Sequence, residues 1–198
     1  MSQQPYIDWV EDGQASGELA AIYARAKRGF AGFLPPAVKI FSVRPEVAAA
    51  MEQLRSVLLG DASSLGARRA DLIGGAISGL NHCEYCGTAH TSLLVKRGEL
   101  AMTDAEQLYR DWRVLDLEAA DRAMLEFAEK LTFSPSQVSA ADIQALREAG
   151  FTEENVFDIV LLSAYRNFMN RVNDGFGVPS AELRQRFGDG MVQVEART

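Results

Sequence analysis

A chain of 198 residues, 47% hydrophobic and 24% charged, carries enough apolar side chain for a sizeable core, so one domain over residues 1–198 is expected. Its net charge of −7 gives a nucleic-acid backbone nothing to bind, and nucleic-acid partners are excluded. No stretch approaches the roughly 18 consecutive apolar residues of a membrane span, and the opening MSQQPYIDWVEDG lacks the basic and apolar regions of a signal peptide, so a cytoplasmic protein away from membranes is expected.

Residues 1–15 read as an N-terminal arm. Over Gly17–Phe30, Leu19, Ile22, Tyr23 and Ala26 form an i, i+3, i+4, i+7 stripe, which predicts a helix. The run Gly32-Phe33-Leu34-Pro35-Pro36 reads as a turn. Pro45 then opens a helix to about Leu59, with Val47, Met51, Leu54 and Leu58 on one face. A third helix, about Arg68–Leu80, is apolar at Leu72, Ile73, Ala76, Ile77 and Leu80. It is nearly bare of side chain at Gly74, Gly75, Ser78 and Gly79. Glycine costs up to about 1 kcal/mol in a helix interior; close backbone packing would compensate, so this is expected to be the central buried helix. The alternative, a channel wall along these glycines, is the less favoured reading.

A helix from near Cys83 to Lys96 or Arg97 follows, stopped by Gly98. Thr103-Asp104-Ala105-Glu106 has the capping-box pattern and predicts a helix to about Trp112. Asp116–Leu131 turns Ala120, Met124, Phe127 and Leu131 inward and ends before Pro135. Ser139–Ala149 is short. Thr152-Glu153-Glu154-Asn155 opens a long helix to about Asn173, and from Arg184 to residue 198 the tail is expected to be loosely held. No alternating, β-branched run competes, so the fold class is all-α. Sliding Asp71–His90 onto Asp158–Gly177 superposes two similar patterns with Asn170 and Asn173 in the cysteine slots. Two related helical halves explain the match, and so does chance likeness between buried helices.

Both cysteines and both histidines fall within nine positions, His82-Cys83-Glu84-Tyr85-Cys86-Gly87-Thr88-Ala89-His90. In a reducing compartment C-x-x-C means redox chemistry or metal. At a helix start, unpaired N–H groups and the helix dipole stabilise a thiolate. Residues i and i+3 lie roughly 5–6 Å apart, within reach of a disulfide. Cys86 and His90 are i, i+4 neighbours, so the imidazole reaches the second sulfur. On that basis Cys86 attacks and Cys83 resolves, although the dipole by itself favours Cys83. Asp71 is the candidate to orient His90, being the one acid in an apolar, Gly-rich helix; its other reading is a first-turn acid facing water. Glu84 is expected to face solvent. His82 and Tyr85 are candidate substrate-binding residues, with helix capping and core packing as their structural readings.

The segment Asp71-Leu72-Ile73…Leu80-Asn81-His82-Cys83-Glu84-Tyr85-Cys86-Gly87-Thr88-Ala89-His90 resembles the signature of the carboxymuconolactone decarboxylase/alkylhydroperoxidase D superfamily: an acid, eleven residues, then C-x-x-C-x-x-x-H. Gly17-Glu18…Tyr23, Pro35-Pro36, Arg44-Pro45-Glu46, Asp121-Arg122-Ala123…Phe127-Ala128 and Asn167-Phe168…Asn170-Arg171-Val172 resemble its peroxidase-related branch. The resemblance implies an all-helical fold assembled as a homo-oligomer: trimers, or dimers and hexamers. It also implies cofactor-independent reduction of hydrogen peroxide or small organic hydroperoxides by a dithiol cycle, with Cys86 peroxidatic, Cys83 resolving, and His90 linked to the acid through water. A lipoyl-type carrier or thioredoxin-like protein would be the dithiol reductant. The family's usual Glu is Asp71 here, and the usual His between the cysteines is Tyr85. Members with decarboxylase chemistry lack the C-x-x-C pair.

Three other readings compete: a protein disulfide oxidoreductase, a redox-sensing module, and a metal site. The last is disfavoured because four ligands on one helix cannot surround a tetrahedral ion, so no metal or other cofactor is expected. Arg171 and Asn167 are expected to pair, in a structural role, with buried acids near Asp71 or across a subunit boundary. Trp9, Trp112, Phe30 and Phe33 are expected in the core or at subunit contacts.

Overall fold

The computed structural model describes residues 4–30, 32–59 and 63–187. Among them the regular structure is helical, with ten α-helices and no strand, as the 3.6-residue periodicity predicts. The helices are α1 Gly17–Gly29, α2 Pro36–Lys39, α3 Pro45–Leu58, α4 Gly66–Leu80, α5 Glu84–Lys96, α6 Met102–Asp111, α7 Ala119–Phe133, α8 Ala140–Glu148, α9 Glu153–Gly175 and α10 Ala181–Phe187.

Helix α4 is the centre of the molecule. Every residue from Ala70 to Gly79 is buried, and the helix packs against α5, α6, α7 and α9. Its small residues admit the neighbours: a Cβ on Gly79 would lie 1.9 Å from the Tyr109 carbonyl oxygen of α6, and one on Gly74 2.6 Å from the His90 ring of α5. The glycines therefore serve close packing. Asp121 of α7, fully buried, pairs with Arg68 and Arg69 at the start of α4 and fixes α7 to it. Asp158 of α9 accepts hydrogen bonds from Ser63 and from the Ser64 backbone and hydroxyl, anchoring the segment that leads into α4.

Several boundaries differ from expectation. Pro35-Pro36, read as a turn, opens α2 with Pro36 in its first turn, where the ring's fixed φ is already helical. The Thr103 capping box is unused: α6 begins at Met102 with Ala101 as its N-cap. Asp116 lies ahead of α7, which begins at Ala119. Ser139 with Asp142 and Thr152 with Asn155 form true capping boxes on α8 and α9. Helix α9 runs unbroken through Phe168–Asn170, the positions that the internal overlay sets against the break before Cys83, so the two stretches differ in backbone. The tail from Arg184 begins inside α10, with Leu183 3% exposed and packed beside the cysteines. Residues 188–198 of that tail lie outside the described residues. The N-terminal arm is docked: the Tyr6 N–H donates to the Phe176 carbonyl, and the Val10 N–H to Ser42 Oγ.

Candidate active site

The two thiols are placed by one turn of backbone. Helix α4 ends at Leu80; the His82 N–H then donates to the Gly79 carbonyl at 3.2 Å, and the Cys83 N–H to the Ser78 carbonyl at 2.9 Å. This pair is the Schellman arrangement, which needs a left-handed residue one place before its last donor. His82 is that residue, with φ +60°. It is exposed and does not line the cavity described below, so its expected place as a substrate-binding residue is corrected: His82 shapes the break. Cys83 is at once the last residue of that stop and the N-cap of α5, and its carbonyl accepts from the Gly87 N–H at 2.9 Å. Cys86 then falls in the first turn of α5, among N–H groups that favour an anion.

Both cysteines are free and buried, Cys83 at 0% and Cys86 at 5% exposure. Their surroundings differ in sign. The Cys83 thiol donates to the Cys86 sulfur, which also accepts from Asn173 Nδ2 at 3.0 Å and feels the positive charge of Arg166. These interactions hold the Cys86 thiol below its ordinary range against the cost of burial. Its hydrogen bond to Cys86, burial and the Asp174 carboxylate push the Cys83 thiol up. Both directions favour a thiolate at Cys86, the cysteine that the sequence reading puts first. The side-chain amides at Cys86 Sγ come from α9, Asn173 with Asn170 beside it.

His90, one turn further along α5, gives its Nδ1 to Asp71 Oδ1 at 2.7 Å; the contact is direct where a water link was expected. Asp71 is 7% exposed, and its Oδ2 accepts from Arg97 at 2.8 Å, so it is a buried partner of His90 and not a solvent-facing acid. Burial pushes the Asp71 carboxyl up, but His90, Arg166 and Arg97 outweigh it and hold it below its usual range. A carboxylate there fixes the His90 proton on Nδ1 and leaves Nε2 as the acceptor. Burial, with the Arg166 charge beside it, pushes the His90 imidazole down, so the ring is neutral at physiological pH.

The linkage has a definite sign. With its folded-state pKa depressed below the ordinary 6.5, His90 takes up a proton in the unfolded chain before it does in the folded one. Stability should therefore fall as pH drops below about 6.5. The urea midpoint measured from pH 7.5 to 5.5 is expected to decline, and H90Q to flatten that decline.

Cys86, His90, Asp71 and Tyr85 line one cavity of about 400 Å³. Phe33, Phe41, Met51 and Tyr165 give it an apolar wall, and Phe30 joins them. Phe30 is thus a cavity residue, a correction to its expected place in the core or at a subunit contact; Phe33 lines the cavity and also packs, with Trp9, beside the cysteines, and Trp112 is in the main core. The Tyr85 hydroxyl accepts from the Ala37 N–H at 3.2 Å, keeps its own proton to donate, and is pushed up by burial. Glu84 is tied rather than free: it accepts from Ser180 Oγ at 2.7 Å and pairs with Arg184, clasping α10 over the thiols. Among the described residues no group of three His, Cys, Asp or Glu side chains is arranged to hold a metal ion. No described helix is long and apolar enough to cross a membrane.

The cations near Asp71 are Arg97, which bonds it directly, and Arg166, where Arg171 had been expected. Arg171 is exposed and binds the Asn167 carbonyl and side chain, while Asn167 joins Asn81 and Thr132. The signal for Arg166 was present in the sequence: Ser163, Arg166, Asn170 and Asn173 repeat at helical spacing, and all four are buried.

Residues 45–130 match the model of the Carboxymuconolactone decarboxylase family. An uncharacterized protein, YdfG of Bacillus subtilis (strain 168), is 28% identical over 118 residues, 58% of this chain and 78% of that one. A peroxidase-related protein from Silicibacter sp. TM1040 has a solved structure similar to this one, with a TM-score of 0.79 and 26% identity over 93% of each chain. The alkylhydroperoxidase AhpD core of a peroxidase-related protein from Ralstonia eutropha JMP134 is similar at TM-score 0.80 and 27% identity, over 92% of this chain and 94% of that one.

Proposed function

We propose that this chain, which belongs to the carboxymuconolactone decarboxylase/alkylhydroperoxidase D superfamily, is a cofactor-independent thiol peroxidase that reduces organic hydroperoxides through Cys86 and Cys83. One observation carries the reading: Cys86 opens on the same cavity as the Asp71–His90 pair, with cationic and N–H support on its side and the Asp174 carboxylate on the side of Cys83.

The steps balance as follows. Cys86 gives its proton to Nε2 of His90, and the thiolate attacks the terminal oxygen of ROOH. The O–O bond breaks, sulfur is oxidised to the sulfenic acid, and the leaving RO⁻ takes the proton back as ROH. The Cys83 thiol then displaces water from the sulfenic acid and forms the Cys83–Cys86 disulfide. An external dithiol restores both thiols and leaves as its own disulfide. Asp71 holds the imidazole, and the Tyr85 hydroxyl is placed to donate to the peroxide.

A cavity of about 400 Å³ holds the volume of roughly a dozen waters and has an aromatic wall, which supports an organic hydroperoxide over hydrogen peroxide. Two thiols this buried favour a slender lipoyl-type dithiol over a thioredoxin-like protein, and they weigh against protein disulfide exchange as the main activity. Exposed Phe133, Phe157 and Phe168 on α7 and α9 fit a homo-oligomer. To test the function, reduced protein is mixed with one equivalent of cumene hydroperoxide. Loss of both thiols and about two mass units within seconds is the expected result. Survival of both thiols for minutes overturns it.

A further inference from the structure

Arg166 sits in the middle of α9 with 7% of its surface exposed, and it lines the cavity with Cys86, Asp71 and His90. A guanidinium keeps its charge at any physiological pH. Buried charges are ordinarily paired, because an uncompensated one is strongly destabilising. Asp121 and Asp158, the other buried acids, are engaged with Arg68, Arg69 and the Ser63–Ser64 segment. Of the acids that line the cavity, Asp71 gives its two oxygens to His90 and Arg97, and Glu52 gives its two to Arg55. The Nε of Arg166 is buried without a hydrogen-bond partner, and the guanidinium carbon lies over the Tyr165 ring, 5.6 Å from its centroid. The Tyr165 contact holds the group in place without satisfying its donors. A buried, unpartnered N–H on a cation that lines the same cavity as the reacting sulfur is what an anion forming there requires.

We propose that Arg166 is a catalytic residue of the peroxide step, binding the RO oxygen of the hydroperoxide and taking up its negative charge as the O–O bond breaks. The inference rests on the peroxidase reading above. In the attack of Cys86–S⁻ on HO–OR, the bond formed is S–O, the bond broken is O–O, and the negative charge moves from sulfur to the RO oxygen. His90 supplies the proton that turns RO⁻ into ROH, but only once charge has developed there. A guanidinium beside the sulfur compensates the thiolate before the step and the alkoxide after it, so its own charge never lacks a partner along the path. Donors set in place before reaction stabilise such charge without reorganising, typically for a factor of about 10²–10³ per donor.

The test separates this role from merely ionising Cys86. Rate constants for Cys86 are measured on the high-pH plateau, where the thiol is fully ionised, with cumene hydroperoxide and with iodoacetamide, in the intact protein and in R166Q, R166M and R166K. The expected result is a fall of about 10²–10³-fold with the hydroperoxide for R166Q and R166M. Iodoacetamide should stay within about threefold, since iodide needs no donor to leave, and R166K should lie between. In the unaltered protein, a series of hydroperoxides should show a weaker dependence of rate on the acidity of ROH than a free dithiol does; this arm needs no variant to fold. Equal losses with both reagents, no loss with either, or the same leaving-group dependence as a free dithiol would overturn the role of Arg166. Failure of the peroxidase reading looks different: the unaltered protein would alkylate at Cys86 and react with no hydroperoxide.

Discussion

C86S is expected to abolish hydroperoxide consumption, whereas C83S should keep the first oxidation and lose turnover. The difference follows from the two environments. Cys86 has the Cys83 thiol, Asn173 and the Arg166 charge to stabilise its thiolate, and it lines the cavity; Cys83 faces the Asp174 carboxylate and its thiol is pushed up. In C83S one equivalent of hydroperoxide should add about 16 mass units, a sulfenic acid with no partner thiol, and further equivalents should over-oxidise it. Turnover with a dithiol reductant should fall at least about 10²-fold, because a buried sulfenic acid must then wait for an external thiol. Intact mass and peroxide consumption, followed together, read both effects. The opposite pattern, with C83S inert and C86S oxidised once, would reverse the assignment.

The second large effect falls on stability. In G79A the added Cβ would lie 1.9 Å from the Tyr109 carbonyl oxygen and 2.7 Å from its carbon, so α6 itself must move. Backbone cannot yield as a side chain does, and we expect about 4 kcal/mol of destabilisation, beyond the usual range for overpacking. G74A meets the His90 ring, at 2.6 Å, instead of backbone. That ring can swing aside at a smaller cost, about 1–2 kcal/mol, but only by giving up Asp71. G74A should therefore remain folded and lose about 10²-fold in peroxide rate, the lower end of what a positioned acid–base group contributes. Urea unfolding and single-turnover kinetics on the two variants should separate stability from catalysis. If G74A unfolds like G79A, or reacts at the full rate, His90 is not held as described.

The helical fold was legible because apolar periodicity is local: α1, α3, α8 and α9 begin within a residue or two of where stripes and capping residues place them. Where local signals competed, the prediction slipped. Thr103 has a capping-box spacing that α6 does not use, and Pro35-Pro36 opens α2 where a turn was expected, since proline serves equally in turns and in the first helical turn. The short amphipathic α10 was missed because seven residues give too few positions to show a period, and its burial depends on the cysteine cluster it covers.

The site divides in the same way. The nine-residue motif by itself determined that two thiols and an imidazole share one helix start, because spacings of three and four residues on a helix are distances. It also marked Asp71, an acid out of place in a buried helix. Only the tertiary structure decided that Asp71 touches His90 directly, that Arg97 and Arg166 rather than Arg171 supply the charge, and that Phe30 and Phe33 wall the cavity. It also made the two thiols unequal. Arg166 and Asn173 of α9 come to Cys86, and Asp174 to Cys83, across eighty or more residues of chain. Charge acts through space at a few ångströms, and no spacing along a single helix encodes which neighbour will arrive there.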